Sequence, residues 1–242
     1  MKTIVYLVLL LSALPSFSQK KDTVLILAGS KILKSNLLRD YKGSYDFFNS
    51  KDGVETLVGS LEDHFQIFTK NKEPMALRVC KITFGANSIL DSGLCRLQGL
   101  APIYHRSVQT KKNMDLKFSG EQVTGKIIFK NDNPKVEAID YKTPSPLFDS
   151  FYEDILAKVI DLENGTLFRF PEYIYEKGGT VWSVGEILNN EGASERVVKF
   201  YELNPKNEIT RTTTFTINKS TSEIVRREYQ MGSNTIIMKK KS

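Results

Sequence analysis

The sequence contains little cysteine, histidine or tryptophan: two Cys, two His and one Trp among 242 residues. Two cysteines are too few for a small domain that disulfides hold together. The two histidines, His64 and His105, have no spacing typical of metal ligands, either with each other or with the cysteines. We therefore predict no metal site and no cofactor.

Long apolar runs are also lacking, apart from one near the N-terminus. The run Ile4–Leu11 follows a single lysine and precedes a proline and small residues, a pattern that indicates a secretory signal peptide. It has about half of the roughly 20 residues that a spanning helix needs, which argues against the alternative of a membrane anchor. We predict a signal peptide at residues 1–18, cleaved between Ser18 and Gln19. The mature chain would then be periplasmic or secreted, with no transmembrane segment.

Basic residues are in excess but are not concentrated in one region. The formal net charge is +6, and the clusters are short: Lys111–Lys112, Arg226–Arg227 and Lys239–Lys241. No motif combines basic and aromatic residues in the way that nucleic-acid-binding modules do. We therefore predict no nucleic-acid partner. The C-terminal lysines indicate either a solvated end or a weak contact with an anionic membrane surface.

Much of the sequence alternates apolar and polar residues. Gln122–Lys130 places most of its large apolar side chains on one face, and Ile209–Ile217 places four threonines on a single face. Alternation of this kind indicates strands of an antiparallel sheet with one buried face. Turn sequences such as Ser119–Gly120 and Gly232–Asn234 separate the segments. We count about ten or eleven candidate strands, in a single domain at residues 19–242.

One segment has helical spacing instead. The apolar residues that share a helical face there are Phe148, Phe151, Tyr152, Ile155, Leu156, Val159 and Ile160. Ser145 can cap this helix, Pro146 suits its first turn, and Asn164–Gly165 ends it. So broad an apolar face must lie on another element. We therefore predict a mainly β fold: a curved antiparallel sheet, or half-barrel, with one amphipathic helix packed on its concave face.

Four segments give the chain a family resemblance: Leu100–Ser107, Phe148–Tyr152, Ile160–Gly165 and Phe215–Val225. Together with the export signal and the single helix, they make Tyr41–Lys240 resemble the LolA/LolB-like half-barrel superfamily, and within it the uncharacterised exported bacterial branch. The resemblance implies an incomplete β-barrel whose apolar cavity, closed by helices, shelters lipid or acyl chains. The chain is longer than the true lipoprotein carriers, and no carrier's functional residues align with it.

Aromatic residues concentrate just after the predicted helix, and such side chains most often form core. A half-barrel with too few side chains to fill it would instead leave a ligand cavity. The side chains that we expect to line or cover such a cavity are Phe151, Ile155, Val159, Phe168, Phe170 and Trp182. We predict non-catalytic binding of a lipid, an acyl chain or another apolar small molecule. The alternative is a structural protein docked on an envelope protein, and the oligomeric state stays open.

An enzymatic alternative depends on Asp91, in the sequence Ile89–Gly93. Aspartic proteases present a catalytic Asp in an apolar-apolar-Asp-Thr/Ser-Gly turn, where two carboxylates share one proton. Because the sequence has one such copy, a retropepsin-like aspartic hydrolase would have to be a homodimer. The simpler interpretation is a surface turn that leads to Cys95.

Gly120–Lys126 nearly matches a phosphate-binding loop. Ile127 replaces the final Ser or Thr of that motif, and the following residues have the pattern of a strand, whereas a phosphate-binding loop opens a helix. We therefore expect no nucleotide site there. No GxSxG sequence supports a serine nucleophile either.

The two cysteines leave two interpretations open. A Cys80–Cys95 disulfide would close a loop of about 16 residues and stabilise the fold by roughly 3 kcal/mol on a chain-entropy estimate. An exported protein would meet the oxidising conditions that this bond needs. Two separately buried thiols are the alternative.

Overall fold

The structure is a computed structural model, and it describes residues 23–130, 133–189, 194–204, 206 and 208–241. The predicted signal peptide and its cleavage site lie outside the described residues. Within these ranges, no helix is both long enough and apolar enough to span a membrane.

Sixteen strands make up most of the described chain, more than the ten or eleven that the sequence predicts. In chain order they are β1 (Val24–Leu25), β2 (Tyr41–Lys51), β3 (Val54–Lys70), β4 (Glu73–Phe84), β5 (Asn87–Arg96), β6 (Pro102–Gln109), β7 (Lys112–Ser119), β8 (Gln122–Phe129), β9 (Lys135–Lys142), β10 (Phe148–Asp149), β11 (Leu167–Ile174), β12 (Gly179–Asn189), β13 (Glu195–Leu203), β14 (Ile209–Asn218), β15 (Ile224–Met231) and β16 (Asn234–Lys240). Short 3-10 helices lie at Ser35–Leu37, Gln98–Leu100 and Tyr175–Lys177. Part of the excess has a simple cause, since β1 and β10 are too short to show an alternating pattern.

The strands form one sheet. Hydrogen bonds connect them in the order β1-β11-β12-β13-β14-β15-β16-β2-β3-β4-β5-β6-β7-β8-β9, and β10 pairs with β11 beside this path. The pairs of β1 and β10 with β11 are parallel, and the other described pairs are antiparallel. The described sheet curves without closing, which confirms the predicted half-barrel architecture.

Strand β14 shows how the alternating sequences produce a sheet with one buried face. Thr213, Phe215 and Ile217 are buried in the interior. The threonines predicted to share the opposite face are all at least partly exposed: Thr210, Thr212, Thr214 and Thr216. The predicted alternation is therefore confirmed.

Strand β8 follows the predicted bounds within one residue, with Val123 and Ile127 buried. Gly120 lies in the turn before it, with a φ of 59°. Because this turn opens a strand and not a helix, no helix N-terminus faces the near-match to a phosphate-binding loop. The geometry therefore excludes that motif, as expected.

The helix is shorter than the sequence predicts. A 3-10 turn at Ser150–Tyr152 leads directly into α1 (Glu153–Val159). The capping residue is Asp149 and not Ser145: the carboxylate of Asp149 accepts a hydrogen bond of 3.1 Å from the backbone N–H of Phe151. The helix starts late because the preceding residues form β10, whose backbone pairs with β11.

Helix α1 packs on the concave face, as predicted, and forms the main core together with inward side chains of the sheet. Ile155 and Val159 of the helix are fully buried there. On the sheet side, the rings of Phe168, Phe170 and Phe200 contact one another, with centroids between 4.9 and 6.0 Å apart.

A smaller core lies between strands β7–β9 and β11. The ring of Phe118 meets that of Tyr173 edge to face, with centroids 6.1 Å apart. The hydroxyl of Tyr141 on β9 also donates a hydrogen bond of 3.1 Å to Thr180 on β12. Side chains therefore connect the two ends of the sheet, although their backbones do not pair.

Both cysteines are buried free thiols. Strands β4 and β5 are neighbours, but Cys80 pairs with Asp91 and Cys95 pairs with Ala76. This register separates the two cysteines by about 13 Å along the strands, at roughly 3.3 Å per residue. A disulfide needs Cα atoms within about 7 Å of each other, so the register excludes the Cys80–Cys95 bond.

We expect Gly185→Ala to destabilise the protein by about 1–3 kcal/mol. A Cβ at this position on β12 would lie 2.0 Å from the buried ring of Phe168. Gly179→Ala, on the same strand, is the matched control, because its Cβ would come no closer than 3.3 Å to Tyr141. Urea denaturation measures both variants. Equal stabilities would contradict the packing of Phe168 against β12.

Candidate functional site

Five of the six residues predicted to surround a ligand lie together at the main core. Four of them have no exposed surface: Ile155, Val159, Phe168 and Phe170. A side chain without accessible surface cannot line a space that a water molecule could enter. Packed side chains therefore fill the interior at these positions. The fifth residue, Phe151, is half-buried and stacks on the ring of His105, with centroids 4.8 Å apart.

Trp182 lies on the opposite face of the sheet. In β12, the buried residues are Ser183, Gly185 and Ile187, so strand alternation turns Trp182 outward. About a third of the residue is exposed there. The structure therefore does not bring Trp182 together with the other five predicted residues.

A groove of about 670 Å³ runs beside Trp182. We call it the outer groove, and its lining residues are Arg169, Lys177, Thr180, Val181, Trp182, Val184, Leu203 and Asn204. They come from β11, β12, β13 and the connections at their ends. The volume falls within the range of about 300–1,000 Å³ that is typical of small-molecule sites.

Two cations border the apolar lining of the outer groove. The guanidinium group of Arg169 lies 5.2 Å from the centroid of the Trp182 ring. Lys177 forms an ion pair with Glu202. Among the residues that the structure describes, no carboxylate lies within ion-pair distance of Arg169. Its charge is therefore available to a ligand.

A network of buried charges joins the helix to the sheet. Arg78 on β4 donates two hydrogen bonds to Asp63 on β3 (3.0 and 2.8 Å) and two to Asp154 on α1 (2.5 and 2.6 Å). It donates another to the backbone carbonyl of Phe151 (2.6 Å). The three charged side chains are at most 4% exposed. Arg78 therefore connects two strands to both turns at the start of the helix.

Glu153, next to Asp154, binds two further cations: Arg211 on β14 at 2.8 Å and Arg227 on β15 at 2.9 Å. We call the whole network the helix anchor, and it consists of Asp63, Arg78, Glu153, Asp154, Arg211 and Arg227. It contains three carboxylates and three guanidinium groups. Its formal charges therefore balance inside the protein.

The helix anchor determines the ionisation of Asp63. Burial would raise the pKa of Asp63, but the charge and hydrogen bonds of Arg78 lower it to about 2. Asp63 is therefore ionised at neutral pH. It also accepts hydrogen bonds from the hydroxyl of Tyr41 (2.8 Å) and the thiol of Cys80 (3.2 Å). Burial raises the pKa of Cys80 well above its usual value, so this thiol is unreactive.

Asp91 lies in the middle of β5, so the predicted surface turn before Cys95 is wrong. Its Oδ1 is 4.0 Å from Nε2 of His105, whose Nδ1 is 3.0 Å from Oδ2 of Asp149. These side chains face the segment that leads into the helix. A homodimeric aspartic protease needs the Asp91 carboxylate to meet that of a second copy. An inward Asp91 beside a histidine does not favour this alternative.

The Asp91–His105–Asp149 cluster is an internal ion cluster. Burial would lower the pKa of His105, but the Asp149 carboxylate and, more weakly, Asp91 raise it above its usual value. Burial also raises the pKa of Asp91.

In the described ranges, no group of three or more His, Cys, Asp or Glu is arranged to hold a metal ion.

Glu172 on β11 is a further buried acid, outside the helix anchor. It accepts a hydrogen bond of 2.5 Å from the hydroxyl of Ser183. Its Oε2 has no hydrogen-bond partner among the described residues. Burial, with a further contribution from the charge of Glu153, raises the pKa of Glu172 to about 8. Glu172 is therefore mostly protonated at neutral pH.

Sequence reasoning missed the helix anchor and the cations of the outer groove, although one signal for the anchor exists. In β3, Asp63 occupies the same face as Leu61 and Phe65, which are buried. Arg78 occupies a buried position in β4 in the same way. A charged residue at an inward position of an alternating strand requires a partner. The alternation thus indicates which charges are buried, but not which of them pair.

We expect Arg78→Met to destabilise the protein by about 3–5 kcal/mol, because it leaves the buried carboxylates of Asp63 and Asp154 unpaired. Arg96→Met is the matched control. Arg96 pairs with Glu73 while both side chains are about half exposed, and such a pair contributes about 0–1 kcal/mol. Urea denaturation compares the two variants. Equal losses would show that the helix anchor is not needed to hold the helix.

We expect Glu172→Gln to remove much of the decline in stability that the wild type shows between about pH 5 and pH 8, because glutamine stays neutral throughout this range. With a folded-state pKa of about 8 against a usual value of 4.5, the folded state keeps a proton that the unfolded state has released. Stability therefore falls as pH rises through this window, by up to about 1.4 kcal/mol per pH unit. Urea denaturation at several pH values measures it. Parallel pH profiles for the two proteins would contradict the protonated state of Glu172.

Comparison with known proteins places the chain in a family. A family model matches residues 40–239, which include α1 and nearly all of the sheet from β2 to β16. Searches of the curated proteins and of the solved structures find no significant match. Because the matched region covers most of the sequence, the chain belongs to the family described as protein of unknown function DUF3108.

Proposed function

We propose that the protein is a non-catalytic binding protein that holds an anionic amphiphile, such as a fatty acid, in the outer groove. The observation that carries the proposal is an exposed Trp182 in a groove of about 670 Å³, beside an Arg169 that no described carboxylate pairs with. The packing of the main core supports it, because Ile155, Val159, Phe168 and Phe170 are fully buried and leave no space for a ligand between them. Binding of an apolar ligand thus remains the proposed role, but its place moves from the concave face to the outer groove.

The lining of the outer groove suits such a ligand. Trp182, Val184 and Leu203 offer apolar contact to an acyl chain, whose burial contributes about 0.8 kcal/mol per CH₂ group. Arg169 offers guanidinium N–H groups, which bind carboxylates and phosphates in a bidentate way. Since Lys177 is already paired with Glu202, we assign the headgroup to Arg169.

Two features of the sequence support a role in the bacterial cell envelope. An export signal at residues 1–18 would bring the protein to the periplasm or outside the cell, where envelope lipids are present. The resemblance to LolA/LolB-like half-barrels implies a protein that shelters lipid or acyl chains. On these grounds the natural ligand that we propose is an envelope lipid or an acyl chain derived from one.

Fluorescence of Trp182, the one tryptophan in the sequence, tests the proposal directly. We expect decanoate, titrated below its micelle-forming concentration, to shift the emission to shorter wavelengths and to protect Trp182 from acrylamide quenching. Arg169→Gln should weaken binding about fivefold, which corresponds to roughly 1 kcal/mol for an exposed ion pair.

Two controls isolate the headgroup contact. Arg106→Gln removes an exposed arginine on β6 that does not line the outer groove, and it should leave decanoate binding unchanged. Decyltrimethylammonium has a chain of the same length with a cationic head, and it should bind much more weakly than decanoate. No response of Trp182 to decanoate, or an equal response to both compounds, would refute the proposal.

A further inference from the structure

Lys158, in the last turn of α1, is a buried cation without an anionic partner among the described residues. The residue is 4% exposed, and its Nζ lies 4.0 Å from the centroid of the Tyr41 ring. Asp154 is one turn earlier on the helix, but both of its oxygens accept hydrogen bonds from Arg78. In the described part of the chain, no carboxylate oxygen lies within 4.0 Å of Lys158 Nζ.

The charges around Lys158 already balance without it. The charged groups that face it from the neighbouring elements are Asp63, Arg78, Asp154 and Glu223. The first three belong to the helix anchor, where three carboxylates meet three guanidinium groups. Glu223 forms an ion pair of 2.9 Å with Lys240. Lys158 is therefore a surplus positive charge, and burying an unpaired charge is costly.

This cost favours the neutral amine. Burial lowers the pKa of Lys158 to about 8. A sizeable fraction of the amine is therefore neutral at pH 7.5, compared with about 0.1% for a lysine of ordinary pKa. A neutral amine is a nucleophile, and desolvation is one of the ways in which proteins activate a lysine.

Lys158 also lines a small pocket that opens to solvent. We call this space of about 170 Å³ the lysine pocket, and its other walls include Leu37, Leu38, Arg39, Tyr41, Thr221 and Ser222. The guanidinium group of Arg39 donates hydrogen bonds to the backbone carbonyls of Asn36 and Leu38. The two acids at the pocket are engaged elsewhere. Asp40 accepts a hydrogen bond of 2.7 Å from the backbone N–H of Ile67, and Glu223 is paired with Lys240.

We propose that Lys158 is a nucleophilic lysine that binds a small aldehyde covalently, as a Schiff base, in the lysine pocket. The leucine side chains, the tyrosine ring and the two hydroxyl groups suit a carbonyl compound of a few carbon atoms. A long acyl chain would not fit in so small a space. The lysine pocket shares no residue with the outer groove, so this inference does not depend on the proposed function.

The reaction needs only the aldehyde and releases one water molecule. The lone pair of the neutral Nζ attacks the carbonyl carbon, and the carbonyl π electrons move to oxygen. That oxygen takes up a proton while the nitrogen loses one, which gives a carbinolamine. A proton from solvent then converts the hydroxyl group to water, which leaves as the nitrogen lone pair forms the C=N bond. The nitrogen finally loses its remaining proton to solvent, which gives the neutral imine. Water reverses each step, so the aldehyde is bound reversibly.

Reductive trapping on the whole purified protein tests the inference. Propanal with sodium cyanoborohydride at pH 7.5 converts each imine to a stable propylamine, which peptide mass spectrometry locates. We expect Lys158 to be labelled about tenfold faster than the exposed lysines Lys81 and Lys126, because less of its amine is protonated. Labelling of Lys158 at the same rate as those lysines, or more slowly, would overturn the inference.

A variant and a second probe separate the site from general reactivity. Lys158→Arg keeps a positive charge but has no nucleophilic amine, and it should lose the fast phase of labelling. Pyrene carboxaldehyde is too bulky for the lysine pocket and should show no preference for Lys158. A fast phase that persists in Lys158→Arg would contradict the assignment, and so would equal selectivity of the two aldehydes for Lys158.

Discussion

The contact of Arg78 with the carboxylates of Asp63 and Asp154 is the interaction on which the rest of the structure depends. It joins two adjacent strands to α1 through side chains that are at most 4% exposed. A buried ion pair adds little to stability compared with an apolar pair of the same shape, whereas the loss of one partner is costly. We infer that the helix anchor restricts α1 to the one position on the sheet where its acids meet all three guanidinium groups.

A helix held in this way limits where a ligand can bind. With α1 in place, the rings of Phe168 and Phe170 are closed off from solvent, and alternation in β12 leaves Trp182 on the other face.

The same interior holds an ionised Asp63 and a protonated Glu172. The partners of each acid, and not its residue type, decide whether it carries charge.

Patterns within single segments predict much of this fold, because the alternation in β8 and β14 depends only on each strand's own residues. Contacts between distant segments account for the errors. The helix starts late because Phe148–Asp149 pair with β11. Asp-Ser-Gly is typical of a turn, but β4 and β6 flank Asp91 and hold it in a strand. The aromatic content indicates a cluster near Trp182, but the register of β12 decides which face each ring occupies.

On our proposal, ligands bind in the outer groove because side chains fill the main core. A crystal structure of the protein with a terminally brominated decanoic acid is the most direct test of this proposal. Anomalous scattering locates the bromine atom and therefore the end of the acyl chain. We predict a bromine peak in the outer groove near Trp182, with the carboxylate at Arg169. A peak beneath α1, between the helix and the rings of Phe168 and Phe170, would contradict this, because the helix anchor would have to open to admit the chain.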